Sequence, residues 1–141
     1  MMGFLDSYKR LERLCRDVMN DDRRVSAYID EMLRLTDGSR RVSGWNSDLR
    51  KLKHYRWVRN QIVHEPDCSE ENLCSPEDAQ WLEDFYERIM TQTDPLALYR
   101  KATQRSRADA PTREMGKPHS QPAGCLPILA IAALVFAILI L

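Results

Sequence analysis

The last sixteen residues, Leu126 to Leu141, read LPILAIAALVFAILIL and contain no polar side chain. Counted from Ala123 the stretch is nineteen residues, about 28 Å as a helix. The hydrocarbon core of a bilayer is about 30 Å thick. A buried core helix of a small domain keeps a polar stripe, and this segment has none. Residues 123–141 are therefore expected to form a single C-terminal transmembrane anchor of the tail-anchor kind. The N-terminal MMGFLDSYKR has no apolar run and does not read as a signal peptide.

The flank of the apolar segment sets the expected orientation. Arg100, Lys101, Arg105, Arg107, Arg113 and Lys117 outnumber Asp109 and Glu114. Basic residues next to a span stay on the cytoplasmic side. The expectation is a single-pass membrane protein whose N-terminal domain is cytoplasmic and whose cysteines are reduced. Cys15 lies on an apolar helix stripe and is expected in the core. Cys68, Cys74 and His64 offer three candidate zinc ligands, but no C-x2-C pair supports them. No cofactor and no metal is expected. Cys125, beside the span, is conceivable as a lipidation site.

Ahead of the anchor the chain reads as helices. Phe4 to Met19 repeats Phe4, Tyr8, Leu11, Cys15 and Val18 at helical spacing, and Asn20-Asp21 ends it. A second helix is expected from Asp22 to Thr36, with Val25, Ile29, Met32 and Leu33 as its stripe. A loop, Ser39 to Asn46, leads to a third helix from Ser47 to Val63 or His64. Leu52, Tyr55, Val58, Ile62 and Val63 form its apolar side. Glu65 precedes Pro66 and is pushed out of the helical region. After a loop to Cys74, Ser75 caps a fourth helix, with Pro76 in the first turn and Glu77 and Asp78 at the positive dipole end. Asp94-Pro95 restarts a fifth. From Thr103 to Pro122 almost every large residue is polar. The expected organisation is an all-α bundle of four to five helices over 1–102, a polar flexible tether over 103–122 and the anchor over 123–141.

The chain as a whole is electrically neutral, with 21 basic and 21 acidic residues. Its charge is nonetheless segregated. Arg40 to Arg59 contains seven basic residues and one acid, Asp48, while Glu65 to Glu87 contains nine acids and no base. Two consequences are open. Either the third and fourth helices are antiparallel neighbours whose opposite charges neutralise each other, or the basic helix faces RNA.

The end of the third helix reads RNQIVHEP. A histidine moves protons near neutral pH and an arginine holds a phosphate. Such a pair cleaves RNA without a metal when the 2′-hydroxyl is the nucleophile. On a regular helix, however, Arg59 and His64 point about 140° apart. Convergence needs the helix to end at His64, or a second copy of the chain. Arg59 also has a structural alternative, an ion pair with Glu83 or Glu87. Trp45, Trp57 and Trp81 are expected in the core or an interface, and His54 in solvent. No Gly-rich phosphate loop, G-x-S-x-G or H-E-x-x-H is present.

The R-N-x-x-x-H pattern near a helix end, in a small all-helical domain, resembles the HEPN superfamily (higher eukaryotes and prokaryotes nucleotide-binding domains). Arg59, Asn60 and His64 match its signature, and the resemblance covers roughly Phe4 to Lys101. It implies a four- or five-helix bundle, frequent dimerisation and, in many members, metal-independent RNase activity. Other members only bind or scaffold. The resemblance implies that Arg59 binds the scissile phosphate, His64 transfers protons and Asn60 orients one of them. The anchor departs from the usual soluble toxin and favours an adaptor role at the membrane. The partners implied are the lipid membrane through 123–141, RNA, a second copy of the chain and a protein not identified by the sequence.

Overall fold

A computed structural model describes residues 2–110. Its elements are α1 (Phe4–Met19), α2 (Val25–Arg34), α3 (Gly38–Arg41), α4 (Trp45–His64), α5 (Glu70–Leu73), α6 (Pro76–Met90) and α7 (Pro95–Ala108). The architecture is an all-α bundle, and the described residues contain no strand. No described helix is long and apolar enough to cross a membrane. The expected anchor at 123–141 lies outside the described residues, as do Cys125 and His119.

The core is built on α1. Phe4, Tyr8, Leu11 and Cys15 recur on one side and are buried, as their spacing predicts. They meet Ala79, Leu82, Phe85 and Ile89 of α6, the helix most extensively packed on α1. On its other flank α1 meets Val25, Tyr28, Ile29 and Met32 of α2. Full burial of one such large side chain contributes about 1.5–3 kcal/mol. Val18, Leu33 and Val63, assigned to these stripes by spacing, are instead about half exposed, at 47%, 47% and 50%. Each of the three is next to the last residue of its helix, α1, α2 and α4 in turn.

The helix boundaries follow local chemistry. Asn20 adopts φ 50° and ends α1. Asp21 Oδ1 accepts the Arg23 N–H at 2.8 Å, and Arg24 is held at φ 58°. A left-handed residue cannot continue a helix, so α2 starts at Val25 rather than Asp22. Asp78 Oδ2 reaches back to the Ser75 N–H at 2.8 Å, completing the capping box at the start of α6. Asp94 caps α7 through the Ala97 N–H at 3.3 Å and also accepts the buried Tyr28 hydroxyl at 2.5 Å. The cap of α7 is thereby fixed to α2.

Three features differ from the sequence expectation. The expected loop 39–46 is taken up in part by the short helix α3, which starts at Gly38, and by the start of α4 at Trp45 in place of Ser47, and the loop 65–74 contains α5. Glu70 of α5 accepts the Phe4 and Leu5 N–H groups at 3.0 Å each and caps α1 from across the bundle. Gly3 suits this approach, since a Cβ there would lie 2.9 Å from Glu70 Oε2. Gly38, at the start of α3, lies flat against the Trp45 ring, where any Cβ would overlap the indole. Finally, α7 continues to Ala108, so residues 103–108 are helix rather than tether. Thr103 Oγ1 and Ser106 Oγ donate to Tyr99 and Ala102 carbonyls within that helix, at 2.9 and 3.0 Å.

Candidate functional site

Twenty residues long, α4 carries every charged or titratable side chain of the RNQIVH motif. Its inner side buries Trp45, Leu52, Tyr55 and Val58. The Tyr55 hydroxyl donates to Asp78 Oδ1 at 2.9 Å, and its ring meets Phe4 and Trp81 at centroid distances of 5.7 and 5.3 Å. Burial first, then the bond to Asp78, raises the Tyr55 phenol well above its ordinary pKa.

Arg59 also belongs to this inner side. Its Nε lies 4.0 Å from Glu12 Oε1 on α1, and Glu12 Oε2 lies 3.5 Å from Arg24 Nη1. Glu12 is one turn from the buried Tyr8 and is itself mostly covered. Burial, followed by the Glu12 charge, raises the Tyr8 phenol pKa, and Arg59 partly offsets that rise. The expected partner on the acidic helix is absent: Glu83 of α6 bonds Arg10 at 2.5 Å, and Glu87 holds no ion pair among the described residues. Asn60 Oδ1 accepts from Arg59 Nη1 at 3.2 Å. Asn60 thus steadies the arginine.

His64 stands apart. It is exposed and makes no side-chain hydrogen bond or ion pair among the described residues. The Glu65 N–H bonds the Gln61 carbonyl at 2.9 Å, so α4 stays regular through its last turn. Glu65 leaves the helix only afterwards, at φ −102° and ψ 120°, as Pro66 dictates. The relaxation that would bring Arg59 and His64 together does not occur, and the separation of about 140° remains. Within one chain Arg59 bonds Asn60, while His64 lies one turn beyond Asn60 on the exposed face and on another side of the helix from Arg59.

The charge segregation also resolves differently from neutralisation between α4 and α6. Of the seven basic residues in Arg40–Arg59, Arg41 pairs with Asp37 and Arg59 with Glu12. Arg40, Arg50, Lys51, Lys53 and Arg56 hold no ion pair among the described residues. Among the described residues the one ion pair joining α4 to α6 has the opposite polarity: Asp48, the sole acid of α4, accepts from Arg88 Nη1 and Nη2 at 3.1 and 2.6 Å. Hydrogen bonding to Asp48 raises the Arg88 pKa further. Trp57, expected in the core or an interface, is 51% exposed on the outer side beside His54, with ring centroids 6.0 Å apart.

The described cysteines, Cys15, Cys68 and Cys74, are free thiols. Cys15 is buried, and desolvation pushes its thiol up to about 12. Burial likewise pushes Cys74 up to about 11. No three His, Cys, Asp or Glu side chains gather as a metal site among the described residues. Sequence reasoning missed Glu12 as the partner of Arg59. The signal was available, since Glu12 lies four residues from Tyr8 and beside Leu11, a carboxylate at the edge of an inward stripe.

These features define a small helical bundle with one long basic helix across it. The chain belongs to the family of unknown function DUF6548, whose model matches residues 2–140. No curated protein and no solved structure matches it.

Proposed function

We propose that this chain is a non-catalytic interaction domain with a HEPN-like bundle, held on the cytoplasmic face of a membrane by residues 123–141. One observation carries the choice over an enzyme: Arg59 is turned inward to Glu12 while His64 faces solvent on another side of α4. A metal-independent RNase needs the phosphate-holding and proton-transferring groups on one phosphate. The HEPN-like reading is supported by the helical bundle and by R-N-x-x-x-H in the last turns of its longest helix. The anchor reading is supported by the apolar run and its basic flank.

The test uses the full chain in detergent, incubated with RNA in the presence of a chelator. The expected result is no cleavage by wild type or by His64→Ala. Cleavage by wild type that leaves 2′,3′-cyclic phosphate ends, and that His64→Ala abolishes, replaces this reading with an RNase built from Arg59, Asn60 and His64. For the membrane, the full chain is expected to resist alkaline extraction and a chain ending at residue 122 to be released.

A further inference from the structure

The outer side of α4 is unused by the fold. Arg50, Lys53, His54, Trp57 and His64 all lie on it and are exposed. Their helical angles fall within about 100° of one another, one continuous strip. No carboxylate interrupts the strip, because Asp48 is turned inward to Arg88. Glu65 and Asp67 bound it only beyond the end of the helix. At its centre Trp57 presents half of its surface to solvent, with His54 stacked beside it at an interplanar angle of 25°. Nothing in the packing of the bundle requires a tryptophan there.

We infer that this strip is a docking surface for an anionic lipid headgroup layer, so that the body of the protein lies on the membrane that anchors it. Lys and Arg are attracted to anionic headgroups, and tryptophan settles at the membrane–water boundary, its ring in the apolar edge and its N–H in water. The inference rests on the anchor reading above. Twelve residues, 111–122, separate the described bundle from the apolar stretch. Their covalent length permits a span of at most about 40 Å, comparable with the roughly 30 Å length of α4. A domain held so close meets the surface at high effective concentration, so a strip of two cations, two histidines and one tryptophan suffices without strong intrinsic affinity. RNA shares the preference for cations and aromatic rings, but nothing in the chain holds RNA nearby.

The experiment places the full chain in nanodiscs of phosphatidylcholine, alone or with phosphatidylserine, including lipids brominated near the headgroup as quenchers. Trp57 emission is obtained by difference from Trp57→Phe, because Trp45 and Trp81 also emit. Trp57 is expected to be quenched in the anionic discs, much less in neutral discs, and to be released by high salt. Arg50→Glu with Lys53→Glu is expected to weaken docking roughly tenfold or more while circular dichroism stays unchanged. Equal quenching in neutral and anionic discs, or none in either, overturns the inference. A chain that fails to co-purify with discs of either kind overturns the anchor reading and the inference with it. A chain that co-purifies while Trp57 stays unquenched overturns the inference alone. Single-stranded RNA bound through Trp57, with no lipid quenching, reassigns the strip to nucleic acid.

Discussion

On its inner side α4 sets Leu52, Tyr55 and Val58 into the core, ties Asp48 to Arg88 and turns Arg59 to Glu12. On its outer side Arg50, Lys53, His54, Trp57 and His64 meet solvent and form no side-chain hydrogen bond or ion pair among the described residues. The two sides differ in what their charges accomplish. Inward, each charged group has a partner supplied by another helix, and its position is fixed by that partner. Outward, five side chains are free of structural duty, which is where a surface for binding can be placed without cost to the fold. The RNQIVH motif straddles this division, with Arg59 turned inward to Glu12 and both Asn60 and His64 exposed on the outer side.

Substitutions along α4 separate the two sides by size of effect. Leu52→Ala, which empties a buried site, is expected to cost about 3–4 kcal/mol in denaturant unfolding. A loss below about 1 kcal/mol would mean that the inner side is not core. Arg88→Ala leaves Asp48 covered and unpaired; the expected cost is about 2–3 kcal/mol, discounted because the arginine is a third exposed. Restoring balance with Asp48→Asn in the same chain should recover part of that loss, which a double-mutant cycle measures. Arg59→Ala is expected to cost up to about 1 kcal/mol, since its contact with Glu12 is long. His64→Ala and Trp57→Phe should each stay within about 0.5 kcal/mol of wild type. Should His64→Ala destabilise more than Arg59→Ala, the division of the motif is wrong.

The smallest effect concerns pH. Burial alone would raise the Asp78 pKa, but bonds from the Ser75 backbone, Tyr55 and the Ser75 hydroxyl lower it below the ordinary value of 3.8. A carboxylate depressed on folding adds stability at pH values above its unfolded pKa, and loses it as pH falls through the lower folded value. Acid unfolding of wild type should therefore steepen below about pH 4. Asp78→Asn should flatten that region slightly, because the group is only partly buried and solvent screens its interactions. An unchanged acid profile would show that the Tyr55–Asp78 link does not join α4 to α6 in solution.

Much of the architecture was legible residue by residue. The spacing of Phe4, Tyr8, Leu11 and Cys15 matched α1 to its full length, because a helix with one buried stripe leaves its period in the sequence. Ser75-Pro76, Asp94-Pro95 and Pro66 marked ends, because proline and capping side chains act on the neighbouring backbone alone. The short helices α3 and α5 escaped notice, being single turns without a period. Polar composition from Thr103 concealed the last two turns of α7, since an exposed helix end needs few apolar residues. Partner choice was the larger failure. Sequence adjacency suggested α4 against α6, whereas α6 packs chiefly on α1.

The chain's own sequence determined that the body is helical, where most helices start and stop, and which residues line one side of each. These are local matters of torsion, capping and periodicity. Only the tertiary structure decided that Glu12 and not Glu83 meets Arg59, that Glu70 caps α1 from a distance, and that Trp57 is left outside. Those outcomes depend on how helices far apart in sequence cross, and charge attracts whichever opposite group that crossing brings within a few ångströms.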